Sequence, residues 1–116
     1  ILKDLPIDFQ KIEKGNYSSY HLFIIKLKIS NEKINQLNLY NYLKKNKIES
    51  NLHYFPIHLQ PFYKKLGFNK KSFLNSEIYA FNSLSIPIYY TLSSANQNKV
   101  IKTIKEFFKY NLILKT

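Results

Sequence analysis

At 116 residues the chain is one domain at most, long enough for a modest core. Hydrophobic residues make up 45 % and aromatics 16 %, which excludes a disordered chain, and the lack of cysteine excludes disulfides and thiolate metal sites. The net charge of +11 rests on lysine alone, with no arginine, the usual bidentate reader of phosphate and guanine. Its absence weakens a nucleic-acid reading. The excess of lysine, with thirteen asparagines, reads as compositional bias on solvated faces. No apolar run approaches the roughly 18 residues of a membrane span. The start, Ile1-Leu2-Lys3-Asp4-Leu5-Pro6, is too mixed for a signal peptide. The first residue is not Met, and the chain is expected to be a piece of something longer.

Leu2, Leu5, Ile7, Phe9 and Ile12 suggest an extended opening segment closed by Gly15-Asn16. His21 to Ile29 is a strand by its β-branched and aromatic content. Ile25, Leu27 and Ile29 fall on one face, Lys26 and Lys28 on the other. Ser30 or Asn31 is the expected cap of a helix running to about Lys45, with Ile34, Leu37, Tyr40 and Leu43 at helical spacing. Asn46 suits the left-handed closing position. Residues 48–58 are extended. Pro61 to Leu66 is a short helix ended by Gly67. Ser72 is the expected cap of a helix with Leu74, Ile78, Phe81 and Leu84 inward. Ser85 to Tyr90 is extended, and Pro87 bars it from the middle of a sheet. Ser94-Ala95-Asn96-Gln97 reads as a capping box. The last helix carries Val100, Ile101, Ile104, Phe107 and Phe108 on one stripe, with Lys99, Lys102, Lys105 and Lys109 off it. This order predicts an α+β fold: a small mixed or antiparallel sheet of three or four strands, with helices on one face.

Chemistry concentrates in Ser50 to Phe62, which holds two of the three histidines and two of the four prolines. His53 and His58 lie an odd number apart, which puts them on opposite faces of a regular strand. Pro56 interrupts that strand, so both remain able to line one pocket. No carboxylate or third histidine is near in sequence, so a zinc site lacks ligands and nothing is placed to orient a histidine. The two glycines exclude a phosphate-binding glycine loop. Two readings stay open. One is the wall of a polar-ligand pocket, with Tyr54 and Gln60 beside the histidines. The other is a structural loop whose histidines bond to backbone. At the level of the whole chain, a basic module for nucleic acid or an acidic surface is the alternative to an enzyme.

His53-Tyr54-Phe55-Pro56-Ile57-His58-Leu59-Gln60-Pro61-Phe62-Tyr63 resembles the segment H-Y-x-P-x-H-x-Q-P-x-Y of the DegT/DnrJ/EryC1/StrS family of pyridoxal-phosphate (PLP)-dependent nucleotide-sugar aminotransferases. Ser19-Tyr20-His21-Leu22-Phe23 and Lys65-Leu66-Gly67-Phe68 are similar to its flanks. Phe73, Glu77, Leu84-Ser85-Ile86-Pro87-Ile88-Tyr89, Gln97 and Val100-Ile101 follow in order. The resemblance spans about residues 16 to 109. It implies that residues 1–116 are the small C-terminal domain of a fold-type-I aminotransferase, separate from the large domain that binds PLP. It implies transfer of an amino group, usually from glutamate, to a keto-sugar carried by a nucleoside diphosphate. The wording of the segment is most similar to family members that act on a UDP-linked 4-keto-6-deoxy-N-acetylhexosamine, as in pseudaminic acid assembly for surface glycans. The resemblance further implies a cytoplasmic homodimer without membrane contact. His53, Tyr54, His58 and Gln60 become substrate-side residues, and Pro56 and Pro61 fix the loop's course. None of the lysines sits in the family's Schiff-base context, so the isolated chain is expected to be inert, with neither catalytic nor cofactor-binding residues of its own.

Overall fold

The computed structural model describes residues 2–113. Along the chain these form β1 (Ile7–Phe9), β2 (Phe23–Leu27), α1 (Gln36–Lys45), β3 (Asn51–Leu52), α2 (Pro61–Lys65), α3 (Leu74–Asn82), β4 (Ser83–Ile86) and α4 (Ser94–Ile113), with a 3-10 turn at Ile57–Leu59. The strands make one antiparallel sheet in the order β1-β2-β4-β3. This is the expected α+β class.

Cross-strand partners share a face of a sheet. Ile25 pairs with Phe9 and Leu84, Leu27 with Ile7, and Phe23 with Ile86. Their side chains make one apolar layer. Leu39 and Leu43 of α1 and Ile104, Phe107 and Phe108 of α4 join the same buried cluster. The expected stripe of α4 is the one that packs, and its four lysines are exposed. In β4, Ser83 and Ser85 alternate with Leu84 and Ile86 and so point to the opposite face. Both serines are nonetheless buried.

Several expected boundaries move, each for a local reason. Asn31 does not cap α1. Its side-chain oxygen accepts from the backbone of Lys33 and Ile34, closing a turn ahead of the helix. Asn35 caps instead, accepting from Asn38 N at 2.8 Å. In α1 it is Gln36, Leu39 and Leu43 that face inward, while Leu37 is exposed. Of residues 48–58 only Asn51 and Leu52 pair, with Ser85 and Leu84, and Pro56 leads into the 3-10 turn. β4 ends one residue before Pro87 and lies inside the sheet, between β2 and β3. An interior strand needs its amides on both sides, so the paired stretch falls ahead of the proline. At α4 the hydroxyl of Ser93, not Ser94, accepts from Asn96 N.

Two helices close with the same motif. After α2, Gly67 takes a positive φ of 95°, Gly67 N bonds Lys64 O and Phe68 N bonds Tyr63 O. After α1, Lys47 N bonds Lys44 O and Ile48 N bonds Leu43 O. The left-handed residue there is Lys47, at φ 58°, and not Asn46, whose φ is −88°. A side chain in that region costs about 1 kcal/mol that glycine avoids. Lys47→Gly is therefore expected to raise unfolding free energy by about 1 kcal/mol. Guanidinium titration checks it, and a destabilised variant would mean that the Lys47 side chain contributes packing that outweighs the strain.

Candidate functional site

The loop from His53 to Gln60 leaves edge strand β3 and ends on α2. Its two histidines are both buried but do not share a pocket. His53 Nε2 lies 2.7 Å from Ser85 Oγ, on the serine face of β4. His58 Nε2 lies 2.9 Å from Glu77 Oε1, inside α3. The same carboxylate oxygen accepts from Lys71 N at 2.6 Å. An acid that orients a histidine is thus present, contrary to the expectation from sequence neighbours. It comes from nineteen residues away.

Glu77 also explains the orientation of α3. Leu74, Ile78 and Phe81 were expected to face inward and are exposed; the buried residues are Glu77 and Ala80. Leu84 is buried, but as part of β4. The helix starts at Leu74 without a side-chain cap, while Ser72 Oγ accepts from Asn69 N. Gln36 reaches from α1 to the carbonyls of Ala80 and Ser83, fixing the exit of α3 into β4. Two polar anchors, Glu77 and Gln36, therefore override an apolar stripe of correct period. Hydrogen bonding and charge hold the Glu77 carboxyl below the usual glutamate range. The largest cause is its bond to His58, and Lys71 N, His58 and Lys70 add to it against the opposing effect of burial.

His53 and Ser85 have the spacing of a nucleophile and its base. A triad further requires a group on the other ring nitrogen. His53 Nδ1 is buried with no partner among the described residues. Ser85 sits in an interior strand and is itself buried. Tyr54 is 73 % exposed, and its ring meets that of His53 edge-on at 4.8 Å. Gln60 is exposed. Its backbone links the 3-10 turn to α2, donating to Ile57 O and accepting from Lys64 N, and its side chain does not cap the helix. The histidines are therefore held from behind, while Tyr54 and Gln60 face outward.

Around them lies an aromatic wall. His58 packs edge-on against Phe73, Phe73 against Phe68, and Phe68 against Tyr63. Phe55 meets Phe81 at 6.4 Å. Phe55, Phe68, Phe81, Lys64 and Lys70 help to line an open groove of about 680 Å³. No residue of α2 is buried. Sequence reasoning missed Glu77 as a working residue. A signal existed: it is the one carboxylate between Glu49 and Glu106.

A profile of the DegT/DnrJ/EryC1/StrS aminotransferase family matches residues 1–105. The chain belongs to this family. It is 32 % identical over 101 residues to the uncharacterized protein MJ1066 of Methanocaldococcus jannaschii, covering 86 % of this chain and 26 % of that one. It is 29 % identical to the GDP-perosamine synthase of Vibrio cholerae, covering 92 % and 29 %. The fold superposes on a sugar aminotransferase of Streptococcus pneumoniae, Spr1654, described as putative, with a TM-score of 0.84 and 26 % identity, over 97 % of this chain and 28 % of that one. That protein is known in PLP and PMP forms. The chain thus spans little more than a quarter of the length of these relatives.

The residues described here do not fit a PLP site on their own. Such a site needs a lysine enclosed away from solvent for the Schiff base and an acid for the pyridine nitrogen. Every described lysine is exposed except the half-buried Lys26. The one buried carboxylate among the described residues, Glu77, is committed to His58 and Lys71. Among those residues no group of three or more His, Cys, Asp or Glu is placed to hold a metal ion. No helix among them is long and apolar enough to cross a membrane.

Proposed function

We propose that this chain is the small, C-terminal domain of a PLP-dependent aminotransferase that acts on a nucleotide-linked 4-keto-6-deoxy sugar. The observation that carries the reading is the family's His-Tyr…His segment, held rigidly over an outward aromatic wall. The family match and the name of the Vibrio cholerae relative support the sugar-nucleotide class. A Bacillus subtilis relative named for spore coat polysaccharide biosynthesis supports a use in surface glycans.

In this reading PLP, its lysine and its acid belong to a second, larger domain. The amino group comes from glutamate, and two copies assemble. The present chain binds and orients the sugar-nucleotide. Aromatic rings such as Phe55 and Phe81 offer flat apolar faces to a sugar or base. Lys64 and Lys70 attract the diphosphate. Tyr54 and Gln60 supply exposed hydroxyl and amide groups for sugar oxygens. His53 and His58 fix the loop from behind, and His53 Nδ1 is left for a substrate or for the larger domain. The outward Leu74 and Ile78 are explained if that domain covers them. The UDP-linked N-acetylhexosamine is the substrate proposed within this class.

The chain alone, given PLP, glutamate and keto-sugar, is expected to show no transamination. Joined to the remaining part of the Streptococcus pneumoniae protein in place of that protein's own matched quarter, it is expected to support turnover. Turnover by the chain alone would refute the division of labour proposed here.

A further inference from the structure

A second cleft, of about 410 Å³, opens where β4 ends and α4 begins, on the side of the link from α1 to β3. It shares no lining residue with the aromatic groove. Lys47 and Lys99 reach it from two different elements, and His21 lies on its wall. Neither lysine forms an ion pair among the described residues. Glu49 is the one carboxylate on the rim, so the two lysines leave an excess of one positive charge. Ser50 lines the cleft, is only 6 % exposed, and its hydroxyl has no hydrogen-bond partner among the described residues. A buried hydroxyl without a partner is destabilising, and it turns about one torsion to meet a ligand. Two lysines without ion pairs on the wall of one cleft, one from the link after α1 and one from α4, together with a buried hydroxyl that has no partner, are groups that a phosphate would satisfy.

We propose that this cleft binds a phosphate group, free or as part of a nucleoside diphosphate. The cleft is separate from the groove of Phe55, Phe81, Lys64 and Lys70 to which the sugar-nucleotide is assigned above, although Ser85, which holds His53, lies on its wall; its groups all belong to this chain, so its ligand is testable on this chain alone.

The test is a titration of the labelled chain with inorganic phosphate at low ionic strength, read by amide chemical shifts around Lys47, Ser50 and Lys99. Saturable shifts are expected there. Lys99→Ala is expected to weaken binding about tenfold, the loss of one charge-assisted hydrogen bond. Lys47→Gly is expected to weaken it similarly while raising stability, which separates lost binding from lost folding. Ser50→Ala is expected to weaken binding a few-fold and to leave the melting temperature unchanged or higher, because it removes an unsatisfied group. Glu49→Gln is expected to tighten binding, the opposite sign. A parallel titration with UDP distinguishes the sources. Tighter binding of UDP at the same residues identifies a nucleoside diphosphate, and equal binding identifies a simple phosphate; both support the site. The proposal is overturned if phosphate shifts no residue of the cleft. It is also overturned if all variants bind within twofold of the parent, or if Glu49→Gln weakens binding.

Discussion

His58→Ala is expected to be among the most destabilising single substitutions in this chain, because it removes the hydrogen bond to the Glu77 carboxylate and leaves that carboxylate beside an empty space. The pair does more than fill volume. It ties the loop after β3 to the first turns of α3, and Lys71 N ties the same carboxylate to the turn before that helix. Breaking it frees loop and helix together. Glu77→Gln tests the charge separately, since an amide oxygen still accepts from Lys71 N. The pH dependence follows from the lowered Glu77 carboxyl. A depressed acid contributes stability at pH values above its unfolded value. That contribution is lost as pH falls through the lower folded value. Parent and Glu77→Gln should therefore differ most at neutral pH and converge in acid. Equilibrium unfolding at a series of pH values measures this. A difference that grows on acidification would contradict the sign.

Phe108→Ala is the second large effect, about 3 to 5 kcal/mol. Phe108 is fully buried, in α4, within the cluster that Ile25, Leu39, Leu43, Leu84 and Ile104 share. Its neighbour Phe107 packs on it and on Tyr42 of α1, so the ring stands where α1, α4 and the sheet meet. Helices rigidly seated on the apolar face hold β4, and through Ser85 they hold His53. Urea unfolding should show a lower midpoint with an unchanged slope. A loss below about 1 kcal/mol would mean that the core closes over the gap.

Period and composition made the last helix, the β2 alternation and the α+β class legible, because packing against one core is what a stripe encodes. They misled at α3. There the stripe of Leu74, Ile78 and Phe81 is a real pattern whose inward counterpart is not this sheet. Glu77 and Gln36 decide the orientation through partners 19 and 44 or more residues away, and such pairings leave no periodicity. Caps were legible in kind but not in place. Runs such as Ser30-Asn31…Asn35 and Ser93-Ser94 offer several competing side chains, and local hydrogen bonds choose among them. The Ser50–Phe62 stretch stands out by its histidines and prolines alone, and the resemblance to a family is what reads His53, Tyr54, His58 and Gln60 as substrate-side. That its histidines turn to Ser85 and Glu77, leaving Tyr54 and Gln60 outward, required the fold.

The central claim is that this loop faces the sugar. In the chimera with the Streptococcus pneumoniae protein, the two half-reactions can be followed separately by the absorbance of the cofactor. Tyr54 is exposed, so Tyr54→Phe should leave stability unchanged. The result expected is a sugar half-reaction weakened about tenfold, as for the loss of one polar contact to substrate, with the glutamate half-reaction unaltered. A sugar half-reaction unchanged by both Tyr54→Phe and His53→Asn, or a defect confined to glutamate, would contradict it.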